Sequence, residues 1–118
     1  NHPNIVFHGH VADPVAALGQ VDVVAMPSRR EPYGLVALEA MAAGRPLLVS
    51  TADGLRDHAT LGAVAVDTFT AEAWGQALRR IADAPDHGRA AMAKQRVMQA
   101  EDRFAQGWEM LLEETGHL

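Results

Sequence analysis

Pro27-Ser28-Arg29-Arg30-Glu31-Pro32-Tyr33-Gly34-Leu35-Val36-Ala37-Leu38-Glu39-Ala40-Met41-Ala42-Ala43-Gly44-Arg45-Pro46 is the stretch on which the reading of this chain turns. It leaves an apolar strand, Val21 to Met26, that Pro27 stops, passes through a turn, and enters a helix over about Gly34 to Ala43. Gly44 followed by Pro46 is the usual helix stop. Two carboxylates, Glu31 and Glu39, stand eight positions apart, one before the helix and one inside it.

Gly34, Leu35 and Val36 open the helix, where backbone N–H groups have no carbonyl a turn back to bond. With the helix dipole they form a site for phosphate or carboxylate, and Gly34 lets a ligand approach the backbone. From Gly34 to Glu39 the helix rises about 7.5 Å, similar to the span from a nucleotide's pyrophosphate to its ribose hydroxyls. A carboxylate suits a vicinal diol, and Glu31 would face whatever hangs off the diphosphate. The residues alone point to an anionic ligand carrying a diol. A plainer reading stays open, in which Glu31 caps the helix and Glu39 is a solvated residue, although Leu38, Ala40, Met41 and Ala42 are apolar company for a charge.

The pattern outward from this stretch alternates strand and helix. Ile5-Val6-Phe7, Val21–Met26, Leu47-Leu48-Val49 and Ala63–Val66 read as about four strands, apolar on both faces as a doubly covered parallel sheet requires. Asp13-Pro14 opens a short helix through about Gln20, and a helical turn is expected near Leu55 to His58. Three consecutive helices end the chain. One is capped by Thr70 and carries Trp74, Ala77 and Ile81; the others span about Asp86 to Ala100 and Asp102 to Thr115. The expected fold class is α/β, a partial Rossmann-like parallel sheet with helices. Its ligand side lies at the strand ends His8-Gly9-His10, Pro27-Ser28-Arg29, Ser50-Thr51 and Val66-Asp67.

The 118 residues suffice for one compact domain. A net charge of −5 argues against a nucleic-acid or anionic-membrane surface. The absence of cysteine removes disulfides, thiolate nucleophiles and Cys-ligated metals, which suits the cytoplasm. No apolar run approaches the length of a membrane span. His8 and His10, at i, i+2 spacing, form a weak metal motif against the plainer reading of a loop after a strand. Trp74 and Trp108 read as core rather than as acceptor-stacking residues, Met41 and Met98 as packing, and Arg79-Arg80 as a solvated face.

The run from Asp22 to Ser50 resembles the signature of retaining nucleotide-sugar glycosyltransferases of the GT-B fold. More narrowly, it resembles the glycosyl transferases group 1 type, which includes sucrose synthases, bacterial lipopolysaccharide and capsule enzymes, and mannosyltransferases. Pro27-Ser28, Glu31, Tyr33-Gly34, Glu39, Ala40-Met41, Gly44 and Pro46 all match. Ile5 to Val11 resembles the family's preceding strand and glycine. Thr51 to Ala59 resembles its Gly-Gly-hydrophobic-Glu loop, with Asp53 in place of the first Gly and Asp57 in place of the Glu.

The resemblance implies that Glu31, taken as the catalytic residue, contacts the donor sugar, and that Tyr33, Gly34 and Leu35 donate to sugar and diphosphate. It implies that Glu39 binds the ribose and that Gly9 and His10 lie beside the base. It implies a UDP-, GDP- or ADP-sugar donor and no metal or other cofactor. The acceptor, a carbohydrate, lipid-linked or small molecule, would come through an N-terminal domain. No nucleic acid is implied; peripheral membrane association belongs to the full-length protein.

The family also has two strands before the position of Ile5, with an Arg and a Lys that neutralise the diphosphate. Residues 1–118 are therefore expected to be part of a C-terminal donor-binding domain, inactive in transfer by themselves. In a 3-2-1-4-5-6 sheet the two strands would lie between Ile5–Phe7 and Val21–Met26, a gap of about 14 Å. The expectation is that direct pairing or another chain closes it. Two alternatives remain: a nucleotide-sugar epimerase of similar architecture, which would show Asp-Ser-Gly-Gly after its strand, and a non-catalytic nucleotide-sugar-binding module.

Overall fold

A computed structural model describes residues 2–31 and 34–115. The apolar runs become β1 (Val24–Met26), β2 (Leu47–Ser50) and β3 (Val64–Val66), all parallel, in the order β1-β2-β3. Val24 pairs with Leu47 and Leu48 with Val64. Parallel neighbours need crossover connections. These are α2 (Leu35–Ala42) between β1 and β2, then α3 (Asp53–Arg56) and a 3₁₀ turn (Asp57–Thr60) between β2 and β3. A short α1 (Pro14–Leu18) precedes the sheet; α4 (Ala71–Asp83) and α5 (His87–Glu114) follow it.

The register sorts the side chains. Val24, Met26, Leu47 and Val49 share one face with Ala37, Ala40 and Met41 of α2 and with Ala93 and Val97 of α5, forming the core. The spacing of Ala37, Ala40 and Met41 is the i, i+3, i+4 stripe that turns one helix face inward. The other face carries Ala25, Leu48 and Val64; Leu48 is buried, but Ala25 is exposed. The sheet is thus covered fully on one side and partly on the other. An open hollow of about 390 Å³ lies over Ala25, walled by Phe69, Trp74 and Leu78.

Helix α5 comes close to the segment before β3 because small residues face each other there. Gly62 has φ 132°, and a Cβ on it would lie 2.8 Å from the Ala93 Cβ. Arg89 then donates from Nε to the Gly62 carbonyl at 2.7 Å and from Nη2 to the Ala63 carbonyl at 2.8 Å. Side-chain caps start the helices as their sequences suggest: Asp13 accepts from Ala16 N–H, Thr70 from Ala73 N–H and Asp86 from Arg89 N–H.

Several expectations are corrected. Ile5-Val6-Phe7 is not a strand, and among the described residues the sheet has three strands rather than about four. The three residues are 59%, 70% and 94% exposed. A strand needs a neighbour to bond its backbone, and among the described residues none lies beside this run, so the expected direct pairing with the Val21–Met26 run is not formed. The strand expected from Val21 begins only at Val24, where pairing with β2 begins. The last two of the three expected helices are one: α5 runs straight through Asp102, because an aspartate inside a helix costs well under about 1 kcal/mol and neither Pro nor Gly stands near it. Trp108 is not in the core. It is 51% exposed and packs edge-on against Phe104, with ring centroids 6.2 Å apart.

Candidate functional site

The carboxyl ends of β1 and β2 are tied together before any helix begins. Ser50, fully buried at the end of β2, donates its hydroxyl to the Ser28 carbonyl at 2.5 Å. That bond satisfies a buried hydroxyl and sets the path of the chain leaving β1 toward α2. From the end of α3, Arg56 donates to the Thr51 carbonyl at 3.1 Å. Arg29 turns away, its guanidinium 5.2 Å from the centre of the Phe69 ring.

Gly34 is the N-cap of α2 and holds φ 65°, ψ 44°, a left-handed conformation that glycine adopts without strain. The Glu31 carboxylate accepts a hydrogen bond from the Gly34 N–H at 3.1 Å. The Gly34 carbonyl accepts from Leu38 N–H at 3.2 Å, so the N–H groups of Leu35 and Val36 precede that bond in the helix ladder. Both residues are exposed, which leaves this end of the helix open to solvent. The dipole favours an anion there.

Glu39 lies four residues after Leu35, hence on the same helix face one turn further on. It is half-buried at the edge of a hollow of about 370 Å³ bounded by Val15, Leu61, Val97 and Glu101. Glu31, Gly34, Leu35 and Glu39 therefore follow one another along a single edge of α2. The capping role open to Glu31 in sequence is realised here, and it places the acid at the start of the helix.

Gly9 and His10 are not gathered to this edge by any hydrogen bond of the described residues. Gly9 has φ 68° with nothing within 4 Å of where a Cβ would be, and His10 is exposed. Tyr33 lies outside the described residues. Among the described residues no three His, Asp or Glu side chains converge as a metal site would require, and none of the helices is long and apolar enough to cross a membrane.

Sequence reasoning missed His58. It is buried, and a Cβ on Gly34 would lie 2.6 Å from its Nε2. Its signal was the i, i+3 spacing with Leu55, which puts both residues on one face of the helical turn. Leu55 Cδ2 would also touch that Cβ, at 3.0 Å.

A parallel sheet whose strands are joined by crossover helices is an architecture of the doubly wound kind. Comparison with known proteins narrows it. Residues 1–84 match the family described as Glycosyl transferases group 1, and the chain belongs to that family. It is 38% identical over 102 residues to a glycogen synthase of Mycobacterium tuberculosis, covering 83% of this chain and 23% of that protein. It is 44% identical over 75 residues to a D-inositol 3-phosphate glycosyltransferase of Salinispora tropica, covering 60% of this chain and 15% of that protein.

Among solved structures, the sucrose-phosphate synthase of Thermosynechococcus elongatus superposes with a TM-score of 0.65 at 29% identity, over 83% of this chain and 27% of that one. Anabaena Alr3699/HepE, solved in complex with UDP, gives 0.64 at 20% identity over 86% and 29%. The fold is thus that of GT-B glycosyltransferases in part, and the chain spans about a quarter of the length of the first of these relatives.

Proposed function

We propose that this chain supplies part of the donor site of a retaining glycosyltransferase that moves a hexosyl group from a nucleoside diphosphate sugar to an acceptor hydroxyl. The observation that carries the reading is the edge of α2, where Glu31, the left-handed Gly34, the first helical residue Leu35 and then Glu39 stand in order.

In this reading the N–H groups at the helix start receive the diphosphate and stabilise the charge that develops as it leaves. Glu39 accepts from the two ribose hydroxyls. Glu31 holds the sugar hydroxyls and, with them, the orientation of the anomeric carbon. The bond from that carbon to the diphosphate oxygen breaks as the acceptor oxygen bonds to the same face, and the acceptor's proton passes to the departing diphosphate. Gly9, His10 and Tyr33 complete the base and sugar contacts, and no metal is required. The acceptor side comes from the rest of the parent protein, which the reading puts in the cytoplasm, in polysaccharide or glycan assembly.

Calorimetric titration of the chain with UDP, GDP and ADP tests this. One of the three is expected to bind, and Glu39→Ala to weaken it about tenfold or more. Affinity that survives Glu39→Ala would remove the ribose assignment; silence from all three would remove the donor-site reading.

A further inference from the structure

Beneath the start of α2 sits a group that no motif accounts for. His58 is 7% exposed, and its Nε2 faces the backbone of Gly34 so closely that even a methyl group on Gly34 could not fit. The histidine's own position is set from the far side. Its carbonyl accepts from Leu61 N–H at 3.1 Å and from Ala63 N–H at 3.1 Å, where the chain turns into β3. The ring is therefore a strut between the segment preceding β3 and the turn that aims the first N–H groups of α2.

A leucine would fill much the same space without the cost of burying a polar ring. The side that faces Gly34 is a nitrogen, next to the residue whose N–H meets the Glu31 carboxylate. We infer that His58 is a positioning residue for the donor diphosphate: it acts through Gly34, using its ring nitrogen as well as its bulk to hold the N-cap from which the N–H groups of Leu35 and Val36 are presented. This rests on the donor-site reading above.

The test compares His58→Leu, which keeps bulk and loses the nitrogen, with His58→Gln, whose amide can reach the Nε2 position. Affinity of the 118-residue chain for whichever of UDP, GDP and ADP it binds is measured by calorimetry, and the amide resonances of Gly34, Leu35 and Val36 are followed in the nucleotide-free protein. The expected result is a loss of about tenfold or more for His58→Leu, with recovery to within about threefold of the parent in His58→Gln. The three amide resonances should shift in the Leu variant and return in the Gln variant.

Parent-like affinity in His58→Leu, or an equal loss in both variants, overturns the inference. If His58→Leu does not fold, a tenfold loss in a folded His58→Gln overturns it alone. If the parent chain binds none of UDP, GDP and ADP, the donor-site reading fails separately, and amide resonances unmoved in His58→Leu still overturn the role of the ring.

Discussion

Two runs of three apolar residues, Ile5-Val6-Phe7 and Leu47-Leu48-Val49, have nearly the same composition and opposite fates. The second is the buried middle of the sheet, with a parallel neighbour on each side. The first is exposed, and Phe7 most of all. Their intrinsic preferences for extended backbone differ little, and if anything favour the first. What separates them is company: Leu48 pairs with Ala25 on one side and Val64 on the other, whereas Ile5–Phe7 has no strand beside it among the described residues. Strand character belongs to the pair of neighbours more than to the run.

The comparison can be broken most sharply at Leu48. Leu48→Ala is expected to cost about 3 kcal/mol of stability in urea unfolding; a loss under about 1 kcal/mol would mean that the two runs differ less than their burial implies. A smaller effect is expected at the end of the same strand. Ser50→Ala removes the donor to the Ser28 carbonyl and should cost about 1 kcal/mol, again read from the unfolding midpoint. No change there would mean that the ends of β1 and β2 are held together by the ladder alone. The smallest effect is expected in the first run, where Phe7→Ser should stay within about 0.5 kcal/mol. A loss above about 1 kcal/mol would show that Ile5–Phe7 finds a partner in solution.

The same contrast explains what could be read from the residues in order. The three strands that pair, the crossover helix with its Gly44 stop, and the caps Asp13 and Thr70 are local signals, and all are realised. The edge of α2 was legible for the same reason, since Glu31, Gly34, Leu35 and Glu39 sit within a single turn-and-helix unit. His58 was not, because it meets Gly34 only after β2 and the loop beyond it bring the two together. The fate of Ile5–Phe7 was not legible either, because it depends on which strand stands alongside. Nor was the continuity of α5. Asp102 resembles a cap, but capping needs a break in the helix, and nothing near Asp102 supplies one.

Helix α5 gives the molecule a mechanical property. Its buried residues, Ala90, Ala93 and Val97, all lie toward one end, so the remainder projects like a beam clamped at its base. From Val97 to Glu114 the beam is about 25 Å long, and a tilt of about 5° at the clamp would carry its tip about 2 Å. The clamp is where Ala93 meets Gly62, a contact with no room for one more carbon atom. A change of one methyl group at that point would be read out, enlarged, at the far end of the protein.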